Sequence, residues 1–256
     1  MSAIVRRFPC LKDNWGVLIH DSATGATACV DAPDGDVVVA AAREAGWTIS
    51  QALVTHHHAD HVQGLPAVKA AFPSVKILGP AKEAGKIGGL DATLREGDAV
   101  RVGALEGRVI ETPGHTAGHI VFHFAGAGVA FVGDTLFTMG CGRVLETPLP
   151  VMWDSLTKLA ALPAETIVHH GHDYDLANAR FSRSVLPDDA AVTARAAEIE
   201  ATKAKGGVMP PTTIGEELRA NPFLRAADPA VASALGMAST APSAVFVELR
   251  ERKNRA

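Results

Sequence analysis

One short run of the sequence, T-H-H-H-A-D-H at residues 55–61, holds side chains that could bind metal ions. Residues two apart in an extended segment point to the same side, so His56 and His58 can face one point together. Asp60 and His61 lie at the turn into a predicted helix, where they can face a neighbouring point. Neutral imidazole and carboxylate groups suit Zn, Fe or Mn. The spacing therefore predicts one loop that supplies ligands to two adjacent metal ions.

The histidines of the chain are clustered, and the later clusters hold further candidate ligands. Of the 11 histidines, three lie within residues 114–124 and three within residues 168–173. His115 sits in a glycine-flanked turn between predicted strands, where the glycines let backbone and ligand approach closely. His172 follows directly after another apolar strand. We expect no ligand role for the other candidates, which are His57, His119, His123, His169 and His170.

The apolar strand at residues 131–133 ends at Asp134, a position where a carboxylate could be shared by two cations. Taken alone, such an aspartate more often begins a turn, and Asp60 could likewise serve only as a helix N-cap. The accompanying histidine motifs favour metal binding over a chance histidine-rich turn. We therefore predict His56, His58 and His115 as ligands of one ion, Asp60, His61 and His172 as ligands of a second, and Asp134 as the bridge. Such a set is typical of a two-metal hydrolytic centre.

Short strands separated by helices must position these residues over the first two-thirds of the chain. Runs rich in Val, Ile and Ala predict strands at residues 3–8, 16–20, 26–31, 51–55, 75–78, 99–102, 108–111, 119–124, 129–132 and 166–169. Helical spacing of apolar residues predicts helices at 34–46, 62–72 and 152–162. This alternation predicts sheets that are covered by helices. Beyond about residue 173, helices are predicted at 176–184, 188–205, 214–220 and 229–236.

The composition is that of an ordinary globular protein, with 47% hydrophobic and 20% charged residues among 256. This excludes a disordered or fibrous chain, and the net charge of −4 gives no overall basic field for nucleic acid or anionic lipid. Apolar runs are only strand-length, and the first residues hold no secretion signal. The 3 widely spaced cysteines favour a reducing compartment. We expect a cytoplasmic monomer that binds neither membrane nor nucleic acid.

Taken in chain order, the histidine and aspartate motifs resemble those of the metallo-β-lactamase superfamily. That superfamily includes thioesterases, lactonases, lactamases, dioxygenases and nucleases. Further stretches narrow the resemblance to the glyoxalase II (hydroxyacylglutathione hydrolase) family. They are G-C-G-R at 140–143, G-H-D-Y at 171–174, N-x-R-F at 178–181, P-T-T-I-G-E-E at 211–217, N-P-F-L-R at 221–225 and L-R-E-R-K-N at 249–254. The resemblance runs nearly from end to end and includes the helical C-terminal part.

The resemblance implies an α+β fold, the αβ/βα four-layer sandwich of that superfamily. It implies a catalytic domain over residues 1–172 and a mostly helical substrate-binding domain over residues 173–256. It also implies hydrolysis of S-D-lactoylglutathione to D-lactate and glutathione, a step of methylglyoxal detoxification, by a metal-bound hydroxide. Two divalent ions are expected, Zn first, with Fe or Mn as alternatives. Asp60 and Asp134 would be the catalytic carboxylates, since one can orient the nucleophile and the other bridges the ions.

Four residues match glutathione-binding positions of the family. They are Arg143, Tyr174, Arg250 and Lys253. Cationic side chains at these positions would meet the carboxylates of glutathione, although the last two lie in a charged tail that composition alone describes as a solvated surface. The chain departs from the family at Leu145, where the usual residue is aromatic. Because leucine offers neither a hydroxyl nor a ring, we expect altered affinity or substrate range.

Three other functions remain open on the sequence alone, and the net charge of −4 disfavours one of them, a nucleic-acid-processing enzyme of the superfamily. A persulfide dioxygenase of the same fold would use one redox-active iron, and a non-catalytic metal-binding protein would lack a productive site. The presence of Asp60, His61 and His172 favours hydrolysis over both. Cys141 lies beside the histidine motifs, but the sequence offers it no charge partner, so we expect a small packed residue rather than a nucleophile.

Overall fold

The computed structural model describes residues 3–256, and the chain divides into two compact units. The first unit is made of residues up to 111, with 116–133 and 169–172. The second unit is made of residues 112–115, 134–168 and 173–256. Because each unit draws on several segments, the predicted division at residues 172 and 173 stays a prediction. Among the described residues, no helix combines the length and apolar composition that a membrane crossing requires.

The secondary structure alternates as the sequence predicts, with several short elements in addition. The strands are β1 (Ala3–Cys10), β2 (Asn14–Asp21), β3 (Thr27–Val30), β4 (Ile49–Leu53), β5 (Lys76–Pro80), β6 (Ala92–Leu94), β7 (Ala99–Val102), β8 (Leu105–Glu111), β9 (Ile120–Phe124), β10 (Val129–Gly133), β11 (Leu136–Phe137), β12 (Gly140–Cys141), β13 (Ile167–His170) and β14 (Thr212–Thr213). The helices are α1 (Gly35–Glu44), α2 (Ala59–Val62), α3 (Leu65–Ala71), α4 (Leu149–Ala160), α5 (Asp175–Val185), α6 (Ala190–Ala204), α7 (Ile214–Ala220), α8 (Pro229–Ala234) and α9 (Pro242–Arg255).

Two sheets form the framework of the first unit. Strands β1 to β6 lie side by side in chain order, with antiparallel pairs from β1 to β3 and parallel pairs from β3 to β6. Strands β7 to β10 follow one another in antiparallel pairs. The parallel strands end at the same edge of their sheet, which is where β4 leads into the loop at residues 54–58. This edge is where a parallel sheet is expected to carry functional loops.

Apolar side chains on the two faces of the first sheet belong to two separate hydrophobic cores. Val17 and Ile19 of β2 pack with Phe122 and Phe131 of the other sheet. Leu18, between them, packs on the opposite face with residues of α1 and α3. Side chains of successive strand residues point to opposite faces, so a strand buried on both sides is apolar throughout. This explains why the sequence shows continuous apolar runs here.

The predicted helix at residues 62–72 is wrong in one respect, because the structure has two helices there. α2 and α3 are separated at Gly64, whose N–H donates to Ala32 O at 2.9 Å. A side chain on Gly64 would lie 2.6 Å from that same carbonyl oxygen, so only glycine fits this close approach. The break gives the histidine loop its own short helix, on which Asp60 and His61 lie.

The second unit is mostly helical and contains one small hairpin. β11 and β12 pair antiparallel, with Leu136 opposite Cys141. α9 was not predicted from the sequence, which shows only a charged tail at residues 249–254. In the structure α9 buries Val245, Phe246 and Leu249, and it also buries Arg250. The C-terminal segment is therefore a packed helix rather than a solvated tail.

Candidate active site

In the first unit, three predicted ligands converge on one point. The ligand atoms of Asp60, His61 and His172 all lie within 4.8 Å of one another. The two Nε2 atoms are 3.3 Å apart, and Asp60 Oδ2 is 3.3 Å from His172 Nε2. His56 and His58 lie in the preceding loop, with His56 Nε2 3.1 Å from His58 Nδ1.

The other ring nitrogens of this group show that it fits a cation. His61 Nδ1 lies 2.8 Å from Asp31 Oδ2, and His172 Nδ1 lies 3.0 Å from Asp13 Oδ1. A carboxylate can only accept, so a neutral ring in either place carries its proton on Nδ1. Both Nε2 lone pairs then face each other beside the carboxylate of Asp60. Converging acceptors of this kind are satisfied by a shared cation, and carboxylate–histidine pairs are the usual support of metal ligands.

Asp31 supports the predicted ligand His61 and was not identified from the sequence. It follows β3 with a left-handed backbone, φ +56°, and its side chain is buried. Its carboxylate accepts from Thr55 N at 2.7 Å and Thr55 Oγ1 at 2.9 Å, besides facing His61. The start of the histidine loop and one of its predicted ligands, His61, are thus held by a single side chain. An aspartate at the end of a strand was the available signal, but many such residues only begin turns.

We expect Asp31→Ala to weaken binding of a divalent cation at this group by about 10–100-fold, because His61 loses the contact that fixes its proton and orientation. Titration calorimetry with Zn²⁺ measures the change. The exposed Asp36, at the start of α1, provides the matched control as Asp36→Ala. An Asp31→Ala protein with unchanged affinity would refute the supporting role.

Asn14 is a second residue that sequence reasoning missed. Its Nδ2 donates to Asp60 Oδ2 at 3.0 Å and to Asp60 O at 3.2 Å. Asn14 also forms a β-bridge with His172, so one residue of β2 contacts two predicted ligands. The amide therefore limits the positions that the partly exposed Asp60 carboxylate can take.

The two histidines next to the predicted ligands have different surroundings. His57 Nδ1 lies 2.8 Å from Glu83 Oε2, and its backbone N–H donates to the same oxygen. His119 is fully buried and stacks on His56 with ring centroids 4.8 Å apart. That neither histidine is a ligand stays a prediction, and the structure shows His57 held by Glu83 and His119 stacked against the His56 ring.

In the second unit, His115 and Asp134 form a comparable acceptor pair. His115 Nδ1 lies 2.8 Å from Arg143 O, which can only accept, so a neutral ring carries its proton there. His115 Nε2 therefore directs a lone pair at Asp134 Oδ2, 3.3 Å away. Gly142 adjoins the Asp134 carbonyl so closely that no side chain fits. An imidazole nitrogen and a carboxylate oxygen that face each other in this way are suited to bind a cation.

A cavity of about 500 Å³ opens beside this pair within the second unit. Its lining includes His115 and Asp134 and all four predicted substrate-binding residues, which are Arg143, Tyr174, Arg250 and Lys253. Ligand pockets are commonly about 300–1,000 Å³, so a peptide-sized thioester fits the volume. The cationic side chains give the cavity a preference for an anionic ligand.

The two cationic residues of α9 that line the cavity, Arg250 and Lys253, differ in how many contacts they make with the protein. Arg250 is 3% exposed and donates from Nη1 to Cys141 O and from Nε to Asn254 Oδ1, each at 3.0 Å. Lys253 is half-buried, donates to Ala177 O at 2.7 Å and lies over the Phe181 ring. Burial, with the neighbouring positive charge of Arg250, lowers the pKa of Lys253 to about 8.

Three further residues singled out by the sequence are Tyr174, Cys141 and Leu145, of which the first two line this cavity. Tyr174 packs edge-on against Phe137, with ring centroids 5.3 Å apart. Cys141 is buried, and burial raises the pKa of its thiol although Arg250 opposes the shift. A thiol in this state is a poor nucleophile, in keeping with the expected packing role. Leu145 is 57% exposed, so its position beyond Arg143 presents an apolar surface to solvent.

Comparisons with known proteins cover the whole chain. Residues 16–172 match the model of the metallo-beta-lactamase superfamily, and residues 173–256 match that of the hydroxyacylglutathione hydrolase C-terminus. The hydroxyacylglutathione hydrolase of Chelativorans sp. (strain BNC1) is 52% identical over 254 residues, covering 99% of each chain. That of Methylobacterium sp. (strain 4-46) is 51% identical over 252 residues, covering 98% of each.

Solved structures show the same architecture. ETHE1 from Myxococcus xanthus aligns with a TM-score of 0.71 and 27% identity, covering 98% of this chain and 91% of that one. The BLEG-1 B3 metallo-beta-lactamase aligns with a TM-score of 0.67 and 22% identity, covering 86% and 99%. At this level of identity, the second likeness concerns the fold alone.

Proposed function

Because the chain belongs to the hydroxyacylglutathione hydrolase family of the metallo-beta-lactamase superfamily, we propose that it hydrolyses S-D-lactoylglutathione to D-lactate and glutathione. The observation that carries this proposal is the match to relatives of that name over essentially the whole chain, at 47–52% identity for seven of them and including the helical C-terminal part. The cavity with its cationic lining supports a glutathione thioester as the substrate.

We propose a dinuclear metal centre with the ligands that the motifs predict. They are His56, His58 and His115 for one ion, Asp60, His61 and His172 for the other, and Asp134 as the bridge. The converging acceptors within each unit support this set. Divalent ions, when bound, lower the pKa of water and stabilise negative charge on a carbonyl oxygen. Imidazole and carboxylate donors accept Zn, Fe and Mn, and we propose Zn as the first choice.

The protein groups around these ligands have distinct roles in the proposed reaction. Asp60 accepts from Asn14 Nδ2 through Oδ2, and this contact holds its carboxylate in place to orient a water molecule for attack on the thioester. Asp31 and Asp13 keep the protons of His61 and His172 on Nδ1. The leaving group is a thiolate, which needs less assistance from a protein acid than an amine would.

The cavity residues bind and orient the glutathione part in this proposal. Lys253 keeps two N–H donors beyond the one that contacts Ala177, and these can meet a carboxylate of the substrate. Arg143 offers a second positive charge for the substrate. It follows β12, whereas Asp134 precedes β11 at the other end of the same hairpin. Arg250 acts more by holding Cys141 in place than by free contact with the substrate, because Nη1 and Nε are already bonded.

The proposal predicts strong discrimination for glutathione thioesters. We expect kcat/KM for S-D-lactoylglutathione to exceed that for acetylthiocholine, a thioester without glutathione, by about 100-fold or more. Two charge-assisted hydrogen bonds of about 1.5–3 kcal/mol each are sufficient for this. Equal rates on the two thioesters would contradict the substrate assignment, and oxygen uptake with glutathione persulfide would favour the dioxygenase alternative.

We also propose a cytoplasmic location. The three cysteines are buried as free thiols, and burial raises the pKa of Cys10 to about 11 and of Cys29 to about 12. Unpaired cysteines in a chain of this size are typical of a reducing compartment.

A further inference from the structure

The turn of the β11–β12 hairpin lies in the interior of the second unit. Pairing of Phe137 with Gly140 leaves Thr138 and Met139 as a two-residue loop. Both are fully buried, and Met139 has a left-handed backbone with φ +54°. Hairpin turns usually lie at the surface, because buried backbone groups need partners that a loop does not provide. Something other than the hairpin itself must therefore satisfy this turn.

Side chains from two helices satisfy the turn. Glu217 of α7 accepts from Met139 N at 2.8 Å, and Ser182 of α5 donates to Met139 O at 2.9 Å. Asn221, at the end of α7, donates from Nδ2 to Gly140 O at 2.9 Å and to Phe137 O at 3.3 Å. A further amide, that of Asn178 in α5, donates to the Thr138 carbonyl at 3.1 Å.

Glu217 is the centre of this network. Its carboxylate also accepts from Thr212 Oγ1 at 2.7 Å and from Asn221 Nδ2 at 2.8 Å, and the residue is 1% exposed. Burying a carboxylate is costly even when it is hydrogen-bonded. Burial accordingly raises the pKa of Glu217 to about 7. A costly group that fixes a strained turn points to a role beyond stability.

The two ends of the hairpin carry the groups that the proposed chemistry needs. Asp134 comes just before β11, and Gly142 N donates to Thr135 O at 3.2 Å where the strands part. Arg143 follows β12, and its carbonyl faces His115 Nδ1 at 2.8 Å. A shift of the hairpin would therefore move both Asp134 and the group that orients His115.

We propose that Glu217 and Asn221 are positioning residues for the reaction, holding the buried hairpin so that Asp134 and the Arg143 carbonyl stay in register with His115. The kinetic test of this proposal rests on the proposed function. The metal-binding test does not, because it depends only on the positions of the ligand atoms. Neither residue lines the cavity, so each acts through the hairpin rather than on the substrate.

Two variants test the proposal, Asn221→Ala and the near-isosteric Glu217→Gln. We expect Asn221→Ala to lower Zn²⁺ affinity, measured by competition with a chromophoric chelator, by about 10–100-fold. kcat should fall by a similar factor, with less than about a threefold change in KM for the thioester. Glu217→Gln retains the shape and one acceptor for Met139 N, so it should show a smaller loss of the same kind.

The matched control is Glu216→Gln, on the same helix. Glu216 contacts Thr213 N and Thr212 Oγ1 but not the hairpin, and glutamine serves equally in a capping box. This variant should keep both metal affinity and kcat. If Asn221→Ala and Glu217→Gln lower only the melting temperature and leave metal affinity unchanged, the network is merely structural and the proposal is overturned. If the parent protein lacks thioesterase activity, the proposed function fails, but the metal-affinity comparison still decides the positioning role.

Discussion

Asp134→Ala will lower kcat for S-D-lactoylglutathione by about 1,000-fold. The carboxylate is the proposed bridge, and His115 Nε2 lies 3.3 Å from its Oδ2. Without it, each proposed ion loses one ligand, and the site loses one of its two carboxylate charges. Charge stabilisation by a bound ion contributes several kcal/mol to such a reaction, and about 4 kcal/mol corresponds to this factor.

The control for this loss is Asp154→Ala, which removes an exposed carboxylate from α4 in the same unit. It should retain both activity and metal content. Metal content of the Asp134→Ala protein should be determined by mass spectrometry at saturating Zn²⁺, since the proposal expects occupancy below that of the parent. A fully loaded Asp134→Ala protein with near-normal kcat would remove the bridging role.

The sequence was most informative about features that depend on neighbouring residues, which are the predicted ligands of one loop and the helices and strands. The spacing of His56, His58, Asp60 and His61 describes one loop, and the structure brings the last two together with the distant His172. The predicted fold class is confirmed, with two mixed sheets and a C-terminal helical region. Apolar periodicity and turn residues depend only on neighbouring residues, so they predict helices and strands without knowledge of the tertiary structure.

The supporting residues could not be predicted, because tertiary contacts alone define them. Asp13, Asn14 and Asp31 lie far from the histidine motifs in sequence, and each is an ordinary polar residue near a strand end. Only the chain path shows that Asp31 meets His61, 30 residues later. The buried turn at Met139 is a similar case, since the helices that satisfy it follow much later in the chain.

For the charged C-terminal segment, composition predicts the wrong structure. A run of Arg, Glu, Lys and Asn at residues 249–254 is typical of a solvated surface. The structure makes it the last turns of α9, with Arg250 buried against the Cys141 carbonyl. Arg250 does line the cavity, but the local pattern could not show that its guanidinium mainly contacts the protein, and its role in substrate binding stays a prediction.

Lys253→Met will raise KM for S-D-lactoylglutathione by about 10–100-fold while kcat changes little. The ammonium group lines the cavity and is proposed to meet a substrate carboxylate, a contact of about 1.5–3 kcal/mol. The control is Lys205→Met, which removes the same charge from an exposed position after α6. A KM that is unchanged in the Lys253 variant would exclude this residue from substrate binding.

The pH dependence of KM gives a second and independent test of the same contact. Burial and the positive charge of Arg250 lower the pKa of Lys253 to about 8, whereas the thiolate form of Cys141 would act in the opposite direction. The cation binds the substrate anion, so KM should be constant up to about pH 7 and rise as Lys253 loses its proton, by about tenfold at pH 9. The amine of glutathione also titrates in this range, but it does so equally for every variant. The KM of Lys253→Met divided by that of the parent should therefore fall towards one as the pH rises from 7 to 9.5. A ratio that stays constant would show that the charge of Lys253 does not contribute to binding.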